Sequence, residues 1–157
     1  MLVSSKIRLR TLEISDLDFL FSLENDKSLW AVSGTEEPFS LEQLANYISH
    51  AKEDISFAEQ FRFVIDCQGK AIGCIDLYDY NLIKKNAGVG IVILKKYRRK
   101  GFAKQSLTLL IRYAWETLKL KQLHTDIFSD NNASLALFEA VGFECFGKNN
   151  YVLNKEL

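Results

Sequence analysis

Ala87 to Leu94 reads AGVGIVIL, and the ten residues that follow, Lys95 to Lys104, hold six positive charges and a single glycine before an apolar periodic pattern begins. A run this apolar, without alternating polar residues, has the pattern of a strand covered on both faces. From Gly101 to Leu118 the residues Leu107, Leu110, Ile111, Ala114 and Trp115 recur at helical spacing. A buried strand feeding a helix through a short basic loop points to a mixed α/β fold. It also makes the loop a candidate anion site, because the first N–H groups of a helix lack internal partners and lie at its positive end.

The rest of the chain supplies the other layers. Ile7 to Leu12 alternates as a half-buried strand, and Ser15 or Asp16 is placed to cap a helix carrying Leu17, Leu20 and Phe21 on one face. After Pro38, Ser40 and Gln43 form a capping-box pattern for a second helix, read as running to Asp54. Phe61–Asp66 and Ala71–Tyr80 flank the turn sequence Cys67-Gln-Gly-Lys70 and predict an antiparallel hairpin. A fifth strand is expected at Gln122–Phe128, a short helix at Ala133–Ala140 ended by Gly142, and a closing hairpin from Phe143–Gly147 and Tyr151–Leu153.

Composition narrows the function classes. The 157 residues, 48% hydrophobic, suffice for one domain over 1–157. Equal numbers of acidic and basic residues, 20 of each, argue against a surface built for nucleic acid or an acidic membrane. The charge is nonetheless segregated: residues 1–60 hold five Lys/Arg against eleven Asp/Glu, and residues 61–104 hold ten against three. Such a chain can handle two partners of opposite charge. Cys67, Cys74 and Cys145 show no metal-ligand spacing, and no run is apolar enough to be a signal or membrane span. No metal, no nucleic acid, no membrane and a cytoplasmic setting are therefore expected.

Neither a dinucleotide fingerprint nor a nucleoside-triphosphate loop is present. Arg98-Arg99-Lys100-Gly101-Phe102-Ala103 instead resembles the R/Q-x-x-G-x-G/A signature of the GNAT superfamily of acyl-CoA-dependent acetyltransferases. Ser129–Phe143, SDNNASLALFEAVGF, resembles that family's late N-x-x-A/S-x-x-x-Y/F-x-x-x-GF segment, and RLRTLEISDL its opening strand and helix. The likeness covers almost the whole chain. Within the superfamily it is nearest the spermidine and diamine acetyltransferases and the ribosomal-protein N-terminal acetyltransferases. The resemblance implies one domain with a mixed, mostly antiparallel sheet of six to seven strands and helices on both faces.

It also implies acetyl-CoA as cosubstrate and a small-molecule amine or peptide N-terminus as acceptor. A polyamine such as spermidine is the first candidate, with a ribosomal-type protein N-terminus or a non-catalytic acyl-CoA sensor as alternatives. A homo-oligomer is compatible with either. By the same resemblance, the backbone of Ile91, Val92 and Ile93 would hold the pantetheine arm, and Arg98, Arg99, Lys100, Gly101, Phe102 and Ala103 would grip the diphosphate. Asn131, Ser134 and Phe138 would meet the arm from the other side. Phe138 stands where the family often has a proton-donating tyrosine, leaving Ser134, Tyr78, water or an unassisted thiolate as alternatives. Asp76 and Asp79 are candidate bases or strand-end solvated residues. Glu24, Glu36 and Glu37 fit either an acceptor site or solvated surface, and Trp30 either an acceptor pocket or the core.

Overall fold

The computed structural model describes residues 2–30, 35–51 and 59–156. Among the described residues seven strands form one sheet in the order β1-β2-β3-β4-β5-β7-β6. They are β1 (Ile7–Thr11), β2 (Phe61–Cys67), β3 (Lys70–Asn81), β4 (Asn86–Ile93), β5 (Gln122–Asp126), β6 (Glu144–Gly147) and β7 (Asn150–Asn154). Every neighbouring pair is antiparallel except β4 and β5. Among the described residues the α-helices that accompany them are α1 (Leu17–Glu24), α2 (Leu41–His50), α3 (Phe102–Glu116) and α4 (Asn132–Ala140).

Alternation along the strands assigns the two faces. Ile75, Leu77 and Val89 share a face with Leu9 and Ile65, and pack in one cluster with Leu107, Leu110 and Ala114 of α3. Val64 points the other way, into a cluster with Leu20 of α1 and Leu44 and Ile48 of α2. Each fully buried Leu or Ile contributes roughly 1.5–3 kcal/mol by leaving water. The two clusters therefore fix helices on both faces, as the sequence leads one to expect.

Local signals explain the boundaries. The Ser40 hydroxyl accepts from the Gln43 N–H at 3.1 Å and Gln43 Oε1 accepts from the Ser40 N–H at 2.8 Å, closing the expected capping box. The β2–β3 hairpin turns through Gln68 and Gly69 at φ 51° and 90°, as a primed two-residue turn requires. Asp66 accepts from the Gly69 N–H there at 2.8 Å. The expectation at α1 needs correction. Neither Ser15 nor Asp16 caps it, because the Asp16 carboxylate turns back to Arg10 and to the Glu13 N–H. The closing hairpin docks through its second strand, so β7 lies between β5 and β6. The predicted continuation of α2 to Asp54 lies outside the described residues from position 52.

Candidate active site

The sheet opens at one place. β4 and β5 pair only over Asn86–Gly88 with Gln122–His124. At the next residue of β5, buried Thr125 donates its hydroxyl to the Val89 carbonyl at 2.9 Å, and no further backbone pairing follows. Val89 thus presents its polar backbone toward β5, and strand alternation puts the N–H and C=O of Ile91 on the same open edge. Val92 turns its backbone to β3, and the Ile93 carbonyl accepts from Arg98 Nε at 2.8 Å. Of the three residues expected to offer backbone groups, Ile91 is the one with both free to meet an extended ligand.

Beyond the fork lies a cleft of about 670 Å3, walled by Gly90–Ile93 on one side and by Asn131, Ala133 and Ser134 on the other. Arg98 reaches it from the basic loop. The loop bends through Arg99 at φ 61° and Gly101 at φ 83° into α3. Gln105 N–H to the Gly101 carbonyl, 3.1 Å, closes the first helical turn, which leaves the N–H groups of Phe102, Ala103 and Lys104 without intrahelical acceptors. Apart from its chain neighbours, a side chain built on Gly101 would find no atom nearer than Gln105 Nε2 at 3.9 Å, so the bend itself is open. Positive charge, free N–H groups and open space suit a diphosphate. Asn131 caps α4, its Oδ1 accepting from the Ser134 N–H at 3.2 Å, and so sets Ser134 at the cleft wall.

Glu24, Arg62 and Asp76 bring three charges into the same cleft. Arg62 Nε and Nη2 donate to the two oxygens of Asp76, each at 2.8 Å, and Nη1 donates to Glu24. Burial works against the Arg62 charge, but the attraction of Asp76 outweighs it and keeps the guanidinium protonated well above its ordinary range. Tyr47 lays its ring 5.7 Å from the guanidinium carbon. Burial pushes the neighbouring Cys74 thiol up to about 12, so it stays protonated and inert. Trp30 lines the cleft and donates its indole N–H to the Glu24 carbonyl at 3.0 Å. Among the described residues no cluster suited to a metal occurs.

Several expected residues stand elsewhere. Asp79 occupies an irregularity in the β3–β4 pairing at φ 49° and is exposed, so the bulge aims it away from the cleft. Glu36 and Glu37 are exposed and line no part of it. Phe138 is 3% exposed and packs edge-on against Phe143 at 5.0 Å, outside the lining of the cleft, as a ring without a hydroxyl is free to do. Arg62 and Thr125 were missed. An arginine within the apolar strand FRFVIDC was a readable signal, whereas Thr125 acquires its role only through the fork.

Residues 6–144 match the family described as Acetyltransferase (GNAT) domain. The spermidine N(1)-acetyltransferase of Vibrio cholerae is 31% identical over 146 residues, covering 90% of this chain and 80% of that protein. The crystal structure of spermidine N-acetyltransferase from Vibrio cholerae in complex with CoA and spermine superposes with a TM-score of 0.77 at 29% identity, over 95% of this chain and 93% of that one. A ribosomal L7/L12 alpha-N-protein acetyltransferase shares the fold, with a TM-score of 0.80 at 20% identity over 98% and 92% of the two chains. The chain belongs to the GNAT family and is an acetyl-CoA-dependent N-acetyltransferase.

Proposed function

We propose that the acceptor is a cationic primary amine, a linear polyamine of the spermidine type. One observation carries this reading: one ion-paired group in the cleft sets two carboxylates, Glu24 and Asp76, against the one guanidinium of Arg62. That group has a net charge of −1 and favours an ammonium over a neutral or acidic acceptor. The likeness to the spermidine acetyltransferase of Vibrio cholerae supports it.

In this reading the basic loop and the start of α3 hold the diphosphate of acetyl-CoA, and the Ile91 edge holds its arm as an added strand. Glu24 and Asp76 draw in the ammonium. With an ordinary amine pKa of about 10.4, only on the order of one molecule in a thousand is neutral near pH 7. Asp76, already engaged by Arg62, is assigned to orienting the ammonium, which gives its first proton to water. The neutral amine nitrogen then attacks the thioester carbonyl, the N–C bond forms, the C–S bond breaks, and the nitrogen's second proton passes to the leaving thiolate, with the Ser134 hydroxyl at the cleft wall proposed to relay it.

The test is a panel of amines with acetyl-CoA, following thiol release. Spermidine should exceed, in kcat/KM, both a neutral hydroxylamine-type acceptor and a peptide with a free N-terminus. A peptide ranking first would replace the reading.

A further inference from the structure

Two glycines stand two residues apart on β4, Gly88 and Gly90, and packing explains only the first. Neither is at positive φ, so the backbone at both suits any residue. The Tyr78 ring lies over Gly88, where a Cβ would come within 2.2 Å of it. Gly88 is thus required by its neighbour. At Gly90, apart from its chain neighbours and among the described residues, a Cβ would find one atom within 4 Å, Tyr78 Cε1 at 3.9 Å. A glycine inside a strand weakens it and packs against nothing, and it often marks a place where a ligand approaches the backbone closely. Gly90 is half-buried and lines the cleft.

The strand order gives this open space a direction. Asp76 on β3 is the cross-strand partner of Gly90, so a side chain at either position emerges on the same face of the sheet. The open Ile91 edge is on the far side of β4, where β5 has parted from it. A nitrogen held at Asp76 therefore has to cross β4, one strand spacing of about 4.8 Å, to reach a thioester on that edge. Gly90 is the residue it crosses. Along the same face the Tyr78 ring borders the gap on one side, and Val92, two residues and roughly 7 Å further on, borders it on the other.

We propose that Gly90 determines acceptor specificity: its missing side chain is the passage by which the reacting nitrogen crosses β4, and it admits a nitrogen carried on an unbranched CH2 while excluding one on a substituted carbon. A single methyl in the gap already reaches van der Waals distance from Tyr78, so a chain and a branch do not fit there together. The terminal nitrogen of a linear polyamine meets the condition. A peptide N-terminus does not, because its α-carbon bears a side chain in every residue but glycine. This inference rests on the polyamine reading above and adds the residue that enforces it.

The experiment compares spermidine with 1,8-dimethylspermidine, equal in charge but with each terminal nitrogen on a methyl-bearing carbon, in the wild type, Gly90→Ala and Val92→Ala, following thiol release. The wild type should prefer spermidine at least tenfold in kcat/KM. Gly90→Ala replaces a strand glycine without a clash, so its melting temperature should not fall, and acetyl-CoA should raise that temperature as in the wild type. Its kcat/KM for spermidine should nevertheless drop at least tenfold, with the KM for acetyl-CoA within twofold. Val92→Ala widens the gap and should reduce the preference several-fold. A Gly90→Ala enzyme that acetylates spermidine within twofold of the wild type, or a wild type that takes both spermidines equally, overturns the passage while leaving the polyamine reading in place. A wild type that favours a peptide with a side chain on its first residue over spermidine overturns both.

Discussion

The Thr125 hydroxyl donates to the Val89 carbonyl at 2.9 Å at the point where β4 and β5 part. It stands in for the next backbone N–H of a parallel ladder, so the strands separate without leaving a buried carbonyl unpaired. Thr125→Val removes that donor and strands the carbonyl at a cost of about 1–3 kcal/mol. Because the Ile91 edge depends on the fork, the KM for acetyl-CoA should rise about tenfold with a smaller change in kcat. Thr125→Ser restores the hydroxyl and should restore the KM. Steady-state kinetics on the two variants decide it, and equal kinetics for Val and Ser would assign Thr125 to stability alone.

Gly101 begins α3 at φ 83° and ψ 1°, with open space where its side chain would be. Valine there faces a backbone penalty of order 1–3 kcal/mol, and its methyls enter the space before the free N–H groups of Phe102 and Ala103. Acetyl-CoA that binds the folded state raises the melting temperature as its concentration passes the Kd. Gly101→Val should abolish that rise at millimolar acetyl-CoA. A normal rise in the variant would show that the diphosphate is held elsewhere.

The acidic residues separate by position. Glu24 is ion-paired to Arg62 inside the cleft, whereas Glu36 and Glu37 are exposed outside it. Exposed charge pairs are worth about 0–1 kcal/mol and are screened by salt. Glu24→Gln should raise the KM for spermidine several-fold and survive moderate salt. The double variant Glu36→Gln, Glu37→Gln should raise it less than threefold, an effect that 0.3 M salt erases. The opposite ranking would move acceptor recognition to the outer pair.

The basic loop, the capping box and the β2–β3 hairpin were legible in the sequence because each is written in neighbouring residues. The apolar register of β4 and the periodicity of α3 likewise carried the sheet and its cover. The Arg62–Asp76 pair was not legible, since it joins residues on two strands whose register depends on a bulge between Ile65 and Asp66. For Asp79 the sequence left a base and a strand-end solvated residue both open, and its exposed place at the irregularity between Tyr78 and Asn81 favours the second. Phe138 occupied the right place in its motif, but only packing reveals that its ring leaves the cleft for Phe143. A tyrosine there would bury a hydroxyl beside that ring. Phe138→Tyr should therefore leave kcat within about twofold and lower the melting temperature.

Arg10 ties β1 to the turn before α1 and to the β2–β3 hairpin. Its guanidinium donates to Asp16 at 2.8 Å twice and to Asp66 at 2.8 Å, and both carboxylates are nearly buried. Burial alone would raise their pKa values, but the Arg10 hydrogen bonds, with backbone N–H groups of Glu13 and Gly69, outweigh it and hold both below the usual carboxylate range. The unfolded chain, with ordinary values of about 3.9, therefore binds more protons than the folded one as pH falls through that region. The stability from these groups is complete above the unfolded value and is lost as pH drops through the lower folded values. The urea midpoint should be nearly flat, as far as these groups decide it, from pH 7 to about 5 and then fall below about 4. Arg10→Leu leaves Asp16 without its cation and Asp66 with only the exposed Arg8 at 3.7 Å, at a cost near the lower end of the roughly 3–5 kcal/mol for breaking a buried pair, since Arg10 is 22% exposed. In that variant the carboxylates are destabilised as anions, so their contribution reverses sign and the midpoint should rise on mild acidification from pH 7. A variant whose midpoint follows the wild-type profile would show that Arg10 does not hold these carboxylates down.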